Sequence, residues 1–397
     1  NLGFNLGFFN DRYEIDFDYY FKDTRDLLMP SVNIPSFTGF SSLAYSNVGR
    51  MTNEGWELNF NAKKILRIGK FSVDVGLNIA QNSNLLKEMD ESVLQAINGT
   101  TWDPSKLETY PVRVQVNNSL GSIYGYRSKG VYQYTTNYLD NHRKEQGWDL
   151  NTDYGRSQYE NWINQFLADG NTVPVARGAD GKVIMDNNTG QPRLMRYAYG
   201  TEYEYVFHGG DAIYEDINHD GQINALDIVY LGNSLPKVNG GFNVSFNYAR
   251  WFLKCRFNYR FGNKVVNLAR MSLEDMYGTN NQSATVNYRW RKDGDDTPMP
   301  RAMYKTGYNY VNSDRYVEDG GFVRFQNLQV GYRFDAKMIK KWGLNQLQAY
   351  ASLNNIYVWT RYSGTDPEVS QRGYQPAIDN AKTPRSKQFT LTLNFGF

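Results

Sequence analysis

The stretch with the most chemistry is Asp216 to Asp227, DINHDGQINALD. Side-chain oxygens stand at positions 1, 3 and 5 (Asp216, Asn218, Asp220), Gly221 permits the sharp turn at 6, the carbonyl of Gln222 falls at 7 and Asp227 closes at 12. A hard cation takes six to eight oxygens, and this spacing brings them around one point, so the loop is expected to hold calcium as a structural ion. Asp at position 12 is shorter than the usual Glu, and the same residues also suit an Asx-rich turn closed by its own side-chain-to-backbone bonds. Other chemistry is sparse. The three histidines, His142, His208 and His219, lack zinc-site spacing. There is no nucleophile elbow, phosphate loop or dinucleotide fingerprint. Glu14, Asp16 and Asp18 sit on a strand face where solvated polar residues are the default rather than a hydrolase pair. No catalytic residue is assigned and the chain is read as a non-enzyme. Arg127, Lys129, Trp148, Trp162, Tyr197 and Tyr199, with Trp102 as a further loop aromatic, offer ring faces or donors for a substrate or a covering partner.

The elements that carry these residues are strands. From Tyr13 to Lys22 the chain puts Tyr13, Ile15, Phe17, Tyr19 and Phe21 on one face and Glu14, Asp16, Asp18, Tyr20 and Lys22 on the other. That alternation lasts about ten residues, the length a tilted strand needs to cross a bilayer. Similar runs occur at 2–8, 56–63, 71–79, 242–248, 251–261, 322–334, 346–359 and 387–397, where the last ends on Phe397. The apolar phase slips between Phe325 and Leu328, the mark of a bulge or of the crossing from loop into the membrane zone. Short turns alternate with long connections, as in outer-membrane barrels with short periplasmic turns and long external loops. The fold class is therefore all-β, an antiparallel transmembrane β-barrel in partial form, with about nine spanning strands and long extracellular loops. Residues 1–82 and 240–397 are expected to be barrel strands, with 83–239 a large extracellular insert containing the cation loop.

Composition agrees. Mean hydropathy is −0.63, and the 397 residues contain no apolar run long enough for a membrane helix. The 31 Tyr and 22 Phe suit aromatic girdles. A net charge of +2 gives no bulk electrostatic case for nucleic acid. A single cysteine, Cys255, excludes an internal disulfide. An odd number of strands would not close a single-chain bacterial barrel, so the chain reads as the carboxy-terminal part of a larger one.

Several stretches resemble the SusC/RagA class of TonB-dependent outer-membrane transporters. They are NVGRMTNEGWELNF (Asn47 to Phe60), GSIYGYRSKGVYQ (Gly121 to Gln133), the cation loop running into LGNSLPKVNGGF (Leu231 to Phe242), SLNNIYVWTRYSGTDPE (Ser352 to Glu368) and PRSKQFTLTLNFGF. Ile356, Tyr357 and Val358 depart from the class pattern of the fourth stretch. The resemblance implies a 22-stranded barrel in the outer membrane of a Gram-negative bacterium, in contact with its lipid. It also implies uptake of oligosaccharides or peptides, energised by TonB and assisted by a SusD-like surface lipoprotein. The class's plug domain and TonB box have no counterpart in this sequence, so TonB would act through an amino-terminal part not included here. The rival expectation is a surface or secreted β-rich carbohydrate-binding or adhesin protein, in which the alternation marks sandwich faces.

Overall fold

In the computed structural model, residues 1–33, 42–47, 49–91, 93–94, 98, 109–199, 203–371 and 373–397 are described. Trp102 lies outside them. Nine long strands form one antiparallel sheet in strict sequence order: β1 (Leu2–Phe8), β2 (Tyr13–Arg25), β3 (Arg50–Ile68), β4 (Phe71–Glu88), β5 (Val238–Tyr248), β6 (Trp251–Phe261), β7 (Phe322–Arg333), β8 (Gln346–Thr360) and β9 (Gln388–Gly396). Among the described residues β1 pairs only with β2 and β9 only with β8, so the sheet is an open segment with two free edges.

Register explains why the alternation was so regular. One row across the sheet runs Leu6, Ile15, Phe60, Leu77, Phe242, Phe257, Phe325 and Tyr357. The neighbouring row runs Gly7, Glu14, Asn61, Gly76, Asn243, Arg256, Asn327, Asn354 and Gln388. Because strand side chains alternate, the first row faces the apolar side and the second the polar side. Within the apolar row the rings of Phe242 and Phe257 stack at 4.4 Å, and those of Phe257 and Phe325 at 4.5 Å. Each such pair contributes about 0.5–1.5 kcal/mol beyond its buried area. The phase slip is a bulge: Phe257 pairs with Phe325 while Arg256 pairs with Asn327, so Gln326 is the extra residue.

Strands β3 and β4 run past the expected limits, to Ile68 and Glu88. Beyond Ala80 the sequence Gln81-Asn82-Ser83-Asn84 is polar on both faces, yet it stays paired with Trp56 to Asn53. The alternation stops where the strands leave the apolar belt, while the backbone ladder continues.

Strand ends are joined on one side by the short segments 9–12, 69–70, 249–250 and 334–345, and on the other by 26–49, 89–237, 262–321 and 361–387. The described residues of 109–237 form two two-stranded sheets, one three-stranded sheet and two helices, α1 (Thr136–Glu145) and α2 (Asp153–Ala168). The second helix buries Tyr159, Ile163 and Leu167 at helical spacing, whereas the first buries only Leu139. Gly121 to Tyr134 forms two short strands, Ser122–Gly125 pairing with Val229–Asn233 and Ser128–Val131 pairing with Ala212–Tyr214. Their core is aromatic, with Tyr126, Tyr197 and Phe207 fully buried. The long loops interlock: strand Lys264–Asn267 pairs with Val317–Asp319 and with Ile378–Asp379, and the Ser234 hydroxyl accepts the Ala377 N–H at 2.8 Å. This cap sits at one end of the sheet.

Candidate functional site

The cation loop is closed by its own carboxylates. Asp216 accepts the Asp220 N–H at 3.2 Å and the Gly221 N–H at 2.8 Å, and Asp220 accepts the Gln222 N–H at 2.8 Å. Asn218 donates to Asp220 at 2.9 Å. At the far end Asp227 accepts the Ile217 and Asn224 N–H groups, both at 2.8 Å, tying position 12 to position 2. His219 (φ 58°) and Gly221 (φ 79°) adopt the left-handed conformation that turns the chain back. Gln222 and Ile223 then join the strand Arg196–Tyr199 in parallel, which fixes the loop to the insert's core. Burial pushes the Asp227 carboxyl above its usual range, and repulsion from Asp216 and Asp220 adds to that against the bonds from Asn224 and Ile217. The donor types and order thus suit a hard cation. Among the described residues, however, no three His, Cys, Asp or Glu side chains converge closely enough to hold a metal ion.

The proposed contact residues divide into two groups. Arg127 and Lys129 both grip Glu215, at 3.1 and 2.9 Å. The Lys129 hydrogen bond, with that of Arg127, holds this carboxyl below its ordinary range. Both cations remain about half exposed. The aromatics serve packing. Trp162 stacks on His142 at 4.0 Å and lies 6.2 Å from Trp148, clamping α1 to α2. Tyr197 is buried against Tyr308 at 4.1 Å. Tyr199 ends its strand, and its side chain lies outside the described residues.

Two buried ion-pair networks were not foreseen. Arg324, on β7, bonds Asp366 at 2.6 Å and pairs with Glu368 at 3.3 Å, and Arg385 bonds Glu368 at 2.7 Å. Asp366 and Glu368 belong to the quoted stretch ending TDPE, which gives that stretch a physical role in seating loop 361–387 on the sheet. Asp211 accepts from Arg301 Nε at 2.7 Å, from the Tyr205 hydroxyl at 2.7 Å and from the His208 N–H at 2.8 Å. The only sequence signal for either was a carboxylate amid loop aromatics, with no hint of its partner.

Over its full length the chain is 30% identical to TonB-dependent receptor P39 of Formosa agariphila, of which it covers 35%. It is 24% identical to TonB-dependent receptor SusC of Bacteroides thetaiotaomicron, of which it covers 31%. The chain spans about a third of the length of the curated relatives it matches. Among solved structures, that of the RagAB peptide transporter superposes on the whole chain, and on 34% of its own, with a TM-score of 0.63 at 18% identity. At that identity the likeness shows the fold. No protein-family model matches the chain.

Proposed function

From a chain that is homologous throughout its length to the carboxy-terminal part of TonB-dependent receptors of the SusC/RagA type, we infer that it is a barrel segment of an outer-membrane nutrient importer. Its relatives are receptors and transporters, not enzymes. The observation that carries the reading is the nine-stranded sheet with an unbroken apolar row beside an unbroken polar one. Exposed apolar residues such as Leu2, Phe21, Leu391 and Leu393 support lipid on the apolar side, with an aqueous lumen on the polar one. In this reading the interlocked loops face outward, line the substrate chamber and meet a SusD-like lipoprotein. Oligosaccharides or peptides are the cargo, and TonB supplies the energy. The intact receptor is expected to stay in the outer-membrane fraction through a carbonate wash and to need detergent for release. Recovery in the wash would instead favour a surface β-rich binding protein.

We also propose that Asp216, Asn218, Asp220, Gln222 and Asp227 hold calcium. Support comes from the donor order and from the repulsion that Asp216 and Asp220 exert on the buried Asp227 carboxylate, which a divalent cation would relieve. Hydrogen exchange of the intact receptor is expected to slow at amides 216–228 when calcium replaces chelator. Equal exchange in the two conditions would leave the loop as a self-closed Asx turn.

A further inference from the structure

The loop between β6 and β7 lines an open cavity of about 1060 Å³. Its wall is cationic: Arg270, Arg289, Arg291, Lys292 and Arg315 line it with Glu274, Asp295 and Asp296, and Glu318, outside the lining, also pairs with Arg270 at 3.2 Å. Two of the lining acids are committed. Glu274, 4% exposed, pairs with Arg270 at 2.8 Å and Arg315 at 3.5 Å, and Asp295 accepts the backbone N–H groups of Arg291 and Lys292 at 2.9 and 3.1 Å. Among the described residues Arg289, Arg291 and Lys292 form no ion pair. Arg289 spends one N–H on the Val286 carbonyl and Arg291 one on that of Asn287, which leaves each most of its five donors. At the base, Arg315 Nε is buried without a hydrogen-bond partner.

The wall is held in place before any ligand arrives. Trp290 Nε1 donates to the Gln133 carbonyl at 2.9 Å, Asp293 accepts the Thr135 N–H at 2.6 Å, and the Arg301 N–H reaches the Gly210 carbonyl at 2.7 Å. Preorganisation of this kind lowers the ordering cost of binding. Tyr288, which lines the cavity with these cations, is 75% exposed and so offers a ring face to a ligand. The wall is helix, 3-10 turn and loop (Leu268–Glu274, Ala284–Tyr288 and 289–299), so it has no strand edge to pair with a peptide backbone.

We propose that this cavity binds the carboxylate or sulfate groups of an acidic oligosaccharide, with Arg289, Arg291 and Lys292 holding the anions and Tyr288 packing against a sugar face. The proposal rests on the importer reading above and names the class of cargo for it. Calorimetry on the intact receptor in detergent micelles tests it with four probes: an oligogalacturonate, a sulfated galactose oligosaccharide, a neutral galactose oligosaccharide of equal length and hexaglutamate. At least one acidic sugar is expected to bind, the first two probes separating carboxylate from sulfate. The R289Q/R291Q/K292Q variant should weaken it at least about tenfold, as expected for losing charge-assisted hydrogen bonds, and Tyr288→Ala should weaken it several-fold. Raising salt should weaken binding to the unaltered receptor, a check that needs no variant. Equal binding by the triple variant, equal or tighter binding of the neutral sugar or hexaglutamate, or no binding of either acidic sugar would overturn the proposal. A receptor that stays in the outer membrane yet fails these tests loses only the cargo assignment.

Discussion

Replacing Arg324 by alanine is expected to free loop 361–387 from the sheet at a cost of about 3–5 kcal/mol. Arg324 is 3% exposed and is the charge shared by Asp366 and Glu368, both also largely buried. Removing it leaves both carboxylates without their shared charge, and among the described residues the ion pair that remains is that of Glu368 with Arg385, itself half exposed. Burying unpaired charge costs far more than an exposed pair gains, so Arg385→Ala should be mild, about 0.2–1 kcal/mol. Arg324→Lys should fall between, because an ammonium cannot copy the planar guanidinium fork that serves two acids. Trypsin digestion of the intact receptor in micelles reads this directly through cleavage after Lys382 and Arg385. The R385A chain has lost one of those sites, so Lys382 is the site for comparing all three variants. Cleavage of R324A at the rate of the unaltered receptor would show that the loop is held by something else, such as the bond from the Ala377 N–H to the Ser234 hydroxyl at 2.8 Å.

What the sequence made legible follows the range of the forces involved. Residues 13–22 announced a strand because a sheet with one apolar side imposes period two on every strand, and nine such runs gave the nine strands in order. The same signal disappeared at Gln81 to Asn84, where both faces are polar although the ladder persists. The self-closed turn at Asp216 to Asp227 was readable because its bonds span two to ten residues. The aromatics were readable only as aromatics. Nothing local distinguishes Tyr197, buried against Tyr308, from Tyr288, which is open to solvent, since burial is decided by segments far away in the chain. For the same reason the cationic cavity went unseen: Arg270, Arg289 and Arg315 converge only once the 263–320 segment is folded.

The pair Asp211 and Arg301 lies 90 residues apart in sequence and should show the strongest coupling in the cap. Asp211 is fully buried and accepts three donors, one of them a guanidinium. Asp211→Ala leaves the Arg301 charge, the Tyr205 hydroxyl and the His208 N–H without their acceptor, and about 3–5 kcal/mol is the expected cost. Arg301→Ala leaves a buried carboxylate that keeps two neutral donors, so its cost should be somewhat smaller. The double variant removes both charges together. It should therefore be less damaging than the sum of the singles by about 1–3 kcal/mol. Hydrogen exchange at amides 207–214 of the intact receptor gives the local opening free energies for the cycle, and additivity within about 0.5 kcal/mol would refute the coupling. The same bonds fix the Arg301 N–H on the Gly210 carbonyl, one of the anchors of the cavity wall. Asp211→Ala should then also weaken acidic-sugar binding, although Asp211 does not line the cavity. The wall's charges would be unchanged in number and lose only their fixed arrangement, which separates the contribution of preorganisation from that of charge.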